Sequence, residues 1–279
     1  MKFADLHMHT NFSDGTFTPE ELAERARDAG LHTLALTDHD TVEGCERMGA
    51  ACRQLGIELI NASEVTSEID GHEIHLLGYF LDIHNSRLLE NLRRFQAVRQ
   101  NRIREMAAAL QRAGIPLAAE TVFELAGCKA PGRPHVARAL VMEGHVKSLG
   151  AAFDKYLKQG RVAWVPKFRI GAPEAIELIH HAGGLAVMAH PGLNKTDKVI
   201  PMMIEAGLDG IECIHSRHSY NDIERYETLA ERHGLVVTGG SDCHGLNRGK
   251  PLIGSIKLPY SYVDRMKERL AERRERVAA

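Results

Sequence analysis

Short apolar runs alternate with longer stretches of helical periodicity along most of the 279 residues. The runs KFADLHMH, HTLALTDHD, IELINASEV, HEIHLLGYF, LAVMAHPG, DGIECIHS and LVVTGGSDCH read as strands, because each is short, aliphatic and closed by polar or turn residues. Helices with clear ends lie between them. TPEELAERARDAG has Thr18 as its cap, Pro19 in the first helical position and Gly30 at its close; APEAIELIHHAGG repeats the scheme with Pro173 and Gly183. This alternation predicts repeated βα units, a parallel sheet and, with seven strands, a closed or nearly closed β/α barrel.

One segment breaks the rhythm. From Ser86 to Gly160 only helical patterns occur, such as LLENLRRFQAVRQNRIREMAAALQRAG and HVARALVMEGH, before the chain returns at RVAWVP. The expected division is therefore a barrel built from 1–85 and 161–279, with a helical insertion at 86–160 that contributes to substrate binding. The last segment, YVDRMKERLAERRERVAA, reads as a solvated closing helix.

Composition narrows the class. A hydrophobic fraction of 44% supports a globular core, and a net charge of -2 gives no global argument for nucleic acid. No apolar run reaches membrane-spanning length and Met1-Lys2-Phe3-Ala4-Asp5 does not resemble a secretion signal, so a cytoplasmic protein without membrane contact is expected. Cys45, Cys52, Cys128, Cys213 and Cys243 are odd in number and lack C-x-x-C spacing, which argues against a disulfide framework and a thiolate zinc site.

Histidine changes the picture. His7 and His9, two apart on a strand, point to one face. Alone they fit a polar strand end as well as a metal site. The pattern recurs, however: His39 ends LALTDH, Glu64 ends LINASE, His75 lies in HEIHLLGY, His190 ends AVMAH, and Asp242 and His244 end VVTGGSDCH. The C-terminal ends of barrel strands converge on one face, where catalytic residues gather. Buried imidazoles and carboxylates are costly without partners, and a metal cluster supplies them. A shell of imidazole and carboxylate without thiolate suits manganese, iron or zinc better than calcium. There are more candidate ligands than one ion uses, so two or three divalent ions are expected, bridged by carboxylates such as Glu64 and Asp242. Closely spaced ions acidify water and clamp anions, which fits hydrolysis of a phosphate ester.

The motifs DLHMHTNFSDG, ALTDHD, ASEVT, HEIHLLGY, AHPG and GSDCHG resemble, in order, those of the PHP (polymerase and histidinol phosphatase) superfamily, over nearly the whole chain. The resemblance implies a distorted (β/α)7 barrel of the PHP type with a trinuclear metal site, manganese being the first choice. One ion would be held by His7, His9, Glu64 and Asp242. A second would be shared through Glu64 with His75 and His190, and a third held by Asp14, His39 and His244. The stretches APGRPHVARAL, KYLKQGRVAWVP, IHHAGGLAVMAHPG and IECIHSRHS are similar to a subgroup of stand-alone PHP phosphoesterases that act on nucleotides. That subgroup includes 3′,5′-nucleoside bisphosphate phosphatases and the 5′-to-3′ exoribonuclease RNase AM.

Residues outside the cluster complete the expectation. Arg133 and His135, in GRPH at a helix start, are placed to grip phosphate. His218, beyond GIECIH, is a candidate to touch the scissile phosphate or protonate the leaving oxygen, with His215 as its competitor. Arg87, Arg93, Arg94, Arg99, Arg102, Arg104 and Arg112 face only Glu90 and Glu105 along one helix, and Arg99 and Arg102 share a side of it. The resemblance assigns this region to the substrate's second phosphate. Asp38, Asp40 and Ser241 are expected to orient imidazoles, and Trp164 to pack at the domain junction.

The resulting expectation is a metal-dependent phosphoesterase in which a metal-activated hydroxide attacks phosphorus and arginines hold a nucleotide or short 5′-phosphorylated oligonucleotide, without stable binding of duplex nucleic acid. Oligomeric state is left open. Two alternatives stand beside it. Amidohydrolase barrels also open with H-x-H but commonly use a carboxylated lysine, which no predicted strand offers at its end. A non-catalytic metal- or nucleotide-binding module would not need so complete a ligand set.

Overall fold

The computed structural model describes residues 1–166, 170–194 and 196–278. Its first half begins as the sequence pattern predicts. β1 (Phe3–Met8), α1 (Pro19–Asp28), β2 (Thr33–Leu36), α2 (Cys45–Leu55) and β3 (Glu58–Ile69) form two βα units whose strands pair in parallel. α1 starts where expected because Thr18 and Glu21 form a capping box: the Thr18 hydroxyl accepts from the Glu21 amide at 3.2 Å, and the Glu21 carboxylate accepts from the Thr18 amide at 2.9 Å.

The next strand departs from the pattern. β4 (His72–Tyr79) returns antiparallel to β3 through a hairpin turn at Asp70 and Gly71, whose φ values of 50° and 75° are those of a two-residue Asp-Gly turn. The reversal decides where its side chains go. His75 pairs with Thr66 and Leu77 with Glu64, so the early part of β4 lies on the face where the other strands end.

A helical block follows: α3 (Ser86–Arg112), α4 (Ala119–Ala126), α5 (Arg133–Met142) and α6 (Leu149–Ala152), the last running into a π-helical turn at Phe153–Leu157. Its own apolar cluster includes Ile103, Leu110, Val122, Val136, Leu140 and Leu157. The first half of α3 packs Leu88, Leu92 and Phe95 on the barrel instead, so one continuous helix joins the two cores. The chain then resumes with β5 (Ile170–Gly171), α7 (Ala172–His181), β6 (Leu185–Met188), α8 (Ile200–Glu205), β7 (Gly210–His215), α9 (Tyr220–His233), β8 (Val236–Gly240), β9 (Leu258–Pro259) and α10 (Tyr260–Ala278).

The sheet runs β8-β7-β6-β4-β3-β2-β1-β9, with β5 beside β3. Beyond β8 the chain closes on β1: the Asp242 amide donates to the His7 carbonyl and the His9 amide to the Cys243 carbonyl, both at 2.9 Å. The result is a nearly closed, distorted β/α barrel. α10 is less solvated than its charges predict, since Val263, Met266 and Leu270 are buried with Ala4, Leu6 and Ala35. No described helix is long and apolar enough to cross a membrane, and the five cysteines are free thiols.

Closure brings backbones very near one another at the end of β8. A Cβ on Gly240 would lie 2.3 Å from the Cβ of His7 and 2.4 Å from its amide nitrogen. Gly240→Ala must therefore push β8 from β1 and is expected to lower the unfolding free energy by about 1–3 kcal/mol, the usual cost of overpacking. Chemical denaturation of the two proteins side by side measures it.

Candidate metal-dependent active site

The buried carboxylate of Glu64 is the meeting point of five imidazoles. Its Oε2 lies 3.2 Å from His7 Nε2, from His9 Nε2 and from His39 Nδ1; its Oε1 lies 2.6 Å from His75 Nδ1 and 3.0 Å from His190 Nε2. Asp242 flanks this group, with Oδ1 3.4 Å from His9 Nε2 and 3.3 Å from His244 Nδ1. Asp14 Oδ1 is 3.2 Å from His244 Nε2 and 3.9 Å from His39 Nε2. The structure thus gathers His7, His9, Asp14, His39, Glu64, His75, His190, Asp242 and His244 in one cluster.

Its geometry fits metal ligation. Two atoms each about 2.1 Å from one ion and 90–110° apart lie about 3.0–3.4 Å from one another. Several close pairs here have that spacing yet make no hydrogen bond: both ring nitrogens of His9, Oδ1 of Asp14, Nδ1 of His39 and Nδ1 of His190 are buried without a partner. Buried polar atoms are rarely left so. Ligand atoms also converge in sets, one made by His9, Asp14, His39 and His244, others by Glu64 with His7 and His190 or with His39 and His75.

Charge in the cluster is strongly coupled. Burial raises the Glu64 carboxyl, but His39, His75, His7 and His190 overcome it and hold the group well below its usual range. Asp242 is held down in the same way against its burial, chiefly by His244. Burial opposes protonation of His9, but the Asp242 and Glu64 carboxylates beside its ring lift it to about 9. The site keeps its carboxylates ionised and demands positive charge beside them.

Tautomers sort the histidines by what they offer. His7 donates from Nδ1 to Glu212 Oε1 at 3.0 Å, which turns Nε2 toward the cluster, 3.2 Å from Glu64 Oε2. Glu73 takes the outer nitrogen of His75 at 3.1 Å, and the Asp242 carbonyl takes Nδ1 of His244 at 2.9 Å. His215 does the reverse. Its Nδ1 accepts from the Arg217 amide at 3.1 Å, and Nε2 is the nitrogen turned to the cluster, 3.6 Å from Asp242 Oδ2. His215 thus converges with His7 and Asp242, its buried Nε2 making no hydrogen bond.

Backbone strain marks the same place. His190 and Asp242 have φ values of 30° and 54°, left-handed conformations uncommon outside glycine. Gly15, which follows Asp14, has no room for a side chain: a Cβ there would lie 2.4 Å from the His9 carbonyl oxygen.

Above the cluster is a cavity of about 270 Å³. The barrel contributes cluster residues, Glu73 and Arg217; the helical block contributes Arg99, Arg102, Gly132, Arg133, Pro134 and Phe153. Of the arginines predicted on α3, Arg99 and Arg102 reach the cavity, whereas Arg87 pairs with Glu177 at 2.8 Å and Arg104 stacks over Phe123. Arg99 is not a loose substrate clamp. It is buried, with Nε 2.6 Å from Asp40 Oδ2 and Nη2 3.3 Å from the Thr66 hydroxyl.

Other expected residues stand elsewhere. His218 does not line the cavity: its Nδ1 donates to the Cys213 carbonyl at 2.8 Å and its Nε2 accepts from the Gly192 amide at 3.2 Å. His135 is buried behind Arg133, where Nδ1 accepts from the Gly132 amide at 3.0 Å, and burial pushes it down to about 4. Asp38 and Asp40 bind groups other than imidazoles. Asp38 accepts from Thr10 and Ser13 and so shapes the loop leading to Asp14, while Asp40 holds Arg99. Ser241 donates its amide to Asp5 at 2.9 Å.

Sequence reasoning missed Glu212, Glu73 and Arg217. Glu212 had a legible signal, a charge between Ile211 and Cys213 in an apolar strand; it is fully buried and also accepts from the His190 amide at 2.7 Å. Arg217 places Nη2 3.3 Å from Asp242 Oδ2.

Comparison with known proteins agrees with this geometry. The family profile of the PHP domain matches residues 5–159. A 5′-3′ exoribonuclease of Haemophilus influenzae is 37% identical, the match covering 86% of this chain and 89% of that protein. A 3′,5′-nucleoside bisphosphate phosphatase of Chromobacterium violaceum is 35% identical, covering 90% of each. A crystal structure from Bifidobacterium adolescentis, assigned to the metal-dependent phosphoesterases, superposes with a TM-score of 0.89 at 33% identity, covering 96% of both chains.

The Glu212–His7 contact generates a test. Carboxylates that hold a ligating imidazole typically raise metal affinity 10–100-fold. Glu212→Gln should weaken divalent-ion binding in that range, measured by competition with a coloured chelator, while far-ultraviolet circular dichroism stays unchanged.

Proposed function

The chain belongs to the PHP family and is a metal-dependent phosphoesterase, and from that premise we propose that its substrates are nucleotides carrying a 5′-phosphate. It would remove the 3′-phosphate of a nucleoside 3′,5′-bisphosphate, trim short 5′-phosphorylated oligonucleotides from the 5′ end, or do both. These are one chemistry with different leaving groups. The observation that carries the reading is the two-sided cavity, with ionised carboxylates and imidazoles on one wall and guanidinium groups on the other.

In this reading the nine clustered residues hold two to three divalent ions, manganese first and iron or zinc as alternatives. His7, His9, Glu64 and Asp242 serve one, Glu64, His75 and His190 a second, and Asp14, His39 and His244 a third. Bound ions supply Lewis acidity and lower the pKa of water. The chain's own groups do the rest. Asp242 turns Oδ1 to the cluster while Arg217 fixes Oδ2 from the cavity side. Arg217, which lines the cavity beside Asp242, is better placed than His218 to act near the scissile phosphate, and His215 Nε2 is buried 3.6 Å from the same Asp242 oxygen. Arg133 and Arg102 face the cavity and grip the 5′-phosphate, and Arg99 fixes the helix that presents Arg102. The amidohydrolase alternative calls for a lysine at the cluster, and among the described residues none lines the cavity.

Phosphate release and product analysis test this with manganese-loaded protein and three substrates: a nucleoside 3′,5′-bisphosphate, the matching 3′-monophosphate and a 5′-phosphorylated trinucleotide. We expect kcat/KM at least roughly tenfold lower for the monophosphate, as for loss of one charge-assisted contact. Arg133→Ala should raise KM for the bisphosphate and leave the monophosphate unaffected. Equal effects on both would refute the assignment of Arg133.

A further inference from the structure

The helical block contributes more than positive charge to the cavity. Phe153 lines it too, the one carbocyclic aromatic ring among the described lining residues. It stands at the start of the π-helical turn Phe153–Leu157, where the Lys158 amide reaches back to the Phe153 carbonyl at 3.0 Å. Single π-helical turns break the regular phase of a helix and often mark functional sites. Here the wider turn keeps Tyr156 and Leu157 buried in the apolar cluster of the block, while half-buried Phe153 packs against that cluster and borders the cavity. The Arg133 guanidinium lies 6.0 Å from the ring centroid. A phosphate-gripping group and a flat apolar face are thus neighbours on the wall opposite the metal-ligand cluster.

Resting on the nucleotide reading above, we propose that Phe153 is the platform on which the substrate's nucleobase stacks while Arg133 holds the adjoining phosphate. A nucleotide offers an anion and a weakly hydrated π-face joined by a sugar, and the wall presents the complement of both. Inorganic phosphate or a sugar phosphate would use the arginines and leave the ring in contact with water. Stacking on a phenyl ring reads no base edge, so this contact selects for a base without selecting among bases. Phe153 is a specificity-determining residue in this account, remote from the bonds that break.

The test compares wild-type protein with Phe153→Leu and Phe153→Trp on adenosine 3′,5′-bisphosphate and on its base-free counterpart, 1-deoxyribose 3,5-bisphosphate. Leucine keeps the apolar bulk and removes the π-face. Expected is a KM about tenfold higher for the nucleotide with Phe153→Leu, at the lower end of what one aromatic–base stack contributes. Its kcat, and both constants for the base-free compound, should stay unchanged, and tryptophan should preserve the wild-type KM. Wild-type protein should give KM values within about fivefold across the four nucleoside bisphosphates. An equal rise in KM for both compounds would show the ring acting through the fold, and no rise for either would show no stacking; both results overturn the proposal. Wild-type protein that hydrolyses neither bisphosphate would refute the nucleotide reading itself.

Discussion

One carboxylate, that of Glu64, sets the conditions for the rest of the molecule. It is 1% exposed and both oxygens are shared among five imidazoles. An ionised carboxylate in such a place is tolerable only with positive charge close by on several sides. That charge comes from β1, from the ends of β2 and β6, and from β4, so the neighbours of Glu64 are assembled only when the barrel is nearly closed. The tight approach of Gly240 to His7 and the paired amides of His9 and Asp242 belong to the same requirement.

Outward from Glu64 the same electrostatic problem recurs in weaker form. Glu212 and Glu73 bind the outer nitrogens of His7 and His75, which fixes the rings with their inner nitrogens turned to Glu64. Asp242 divides its oxygens between the cluster and Arg217. Asp40, next to His39, anchors Arg99 of α3, and breaking such a buried pair typically costs about 3–5 kcal/mol. The helical block is therefore keyed to the loop that carries His39, and the arginine wall keeps a defined position over the cluster.

Much of this was legible in the amino-acid sequence because it is local. The seven strand runs, the caps of α1, the helical block and the His, Asp and Glu residues at strand ends follow from periodicity and turn chemistry. What was not legible depends on pairing across the fold. The Asp70-Gly71 turn was a hairpin signal, but alternation elsewhere favoured a parallel reading, and the reversal of β4 is what puts His75 beside Glu64. His218 has the residue type of a catalytic group. Only the fold shows both of its nitrogens taken up by backbone, whereas His215 Nε2 lies 3.6 Å from Asp242. Arg99 reaches the cavity as its helix face implies, but its tether to Asp40, distant in sequence, is visible only in the fold.

The central claim is that Glu64 is a shared node, so that ions on either side of it stand or fall together. Metal analysis of purified protein dialysed against manganese, wild type beside Glu64→Gln, tests this most directly. The account predicts two to three tightly bound ions per wild-type chain and loss of more than one of them on this single substitution. A wild-type protein that holds one ion, or a variant that loses at most one, would contradict it.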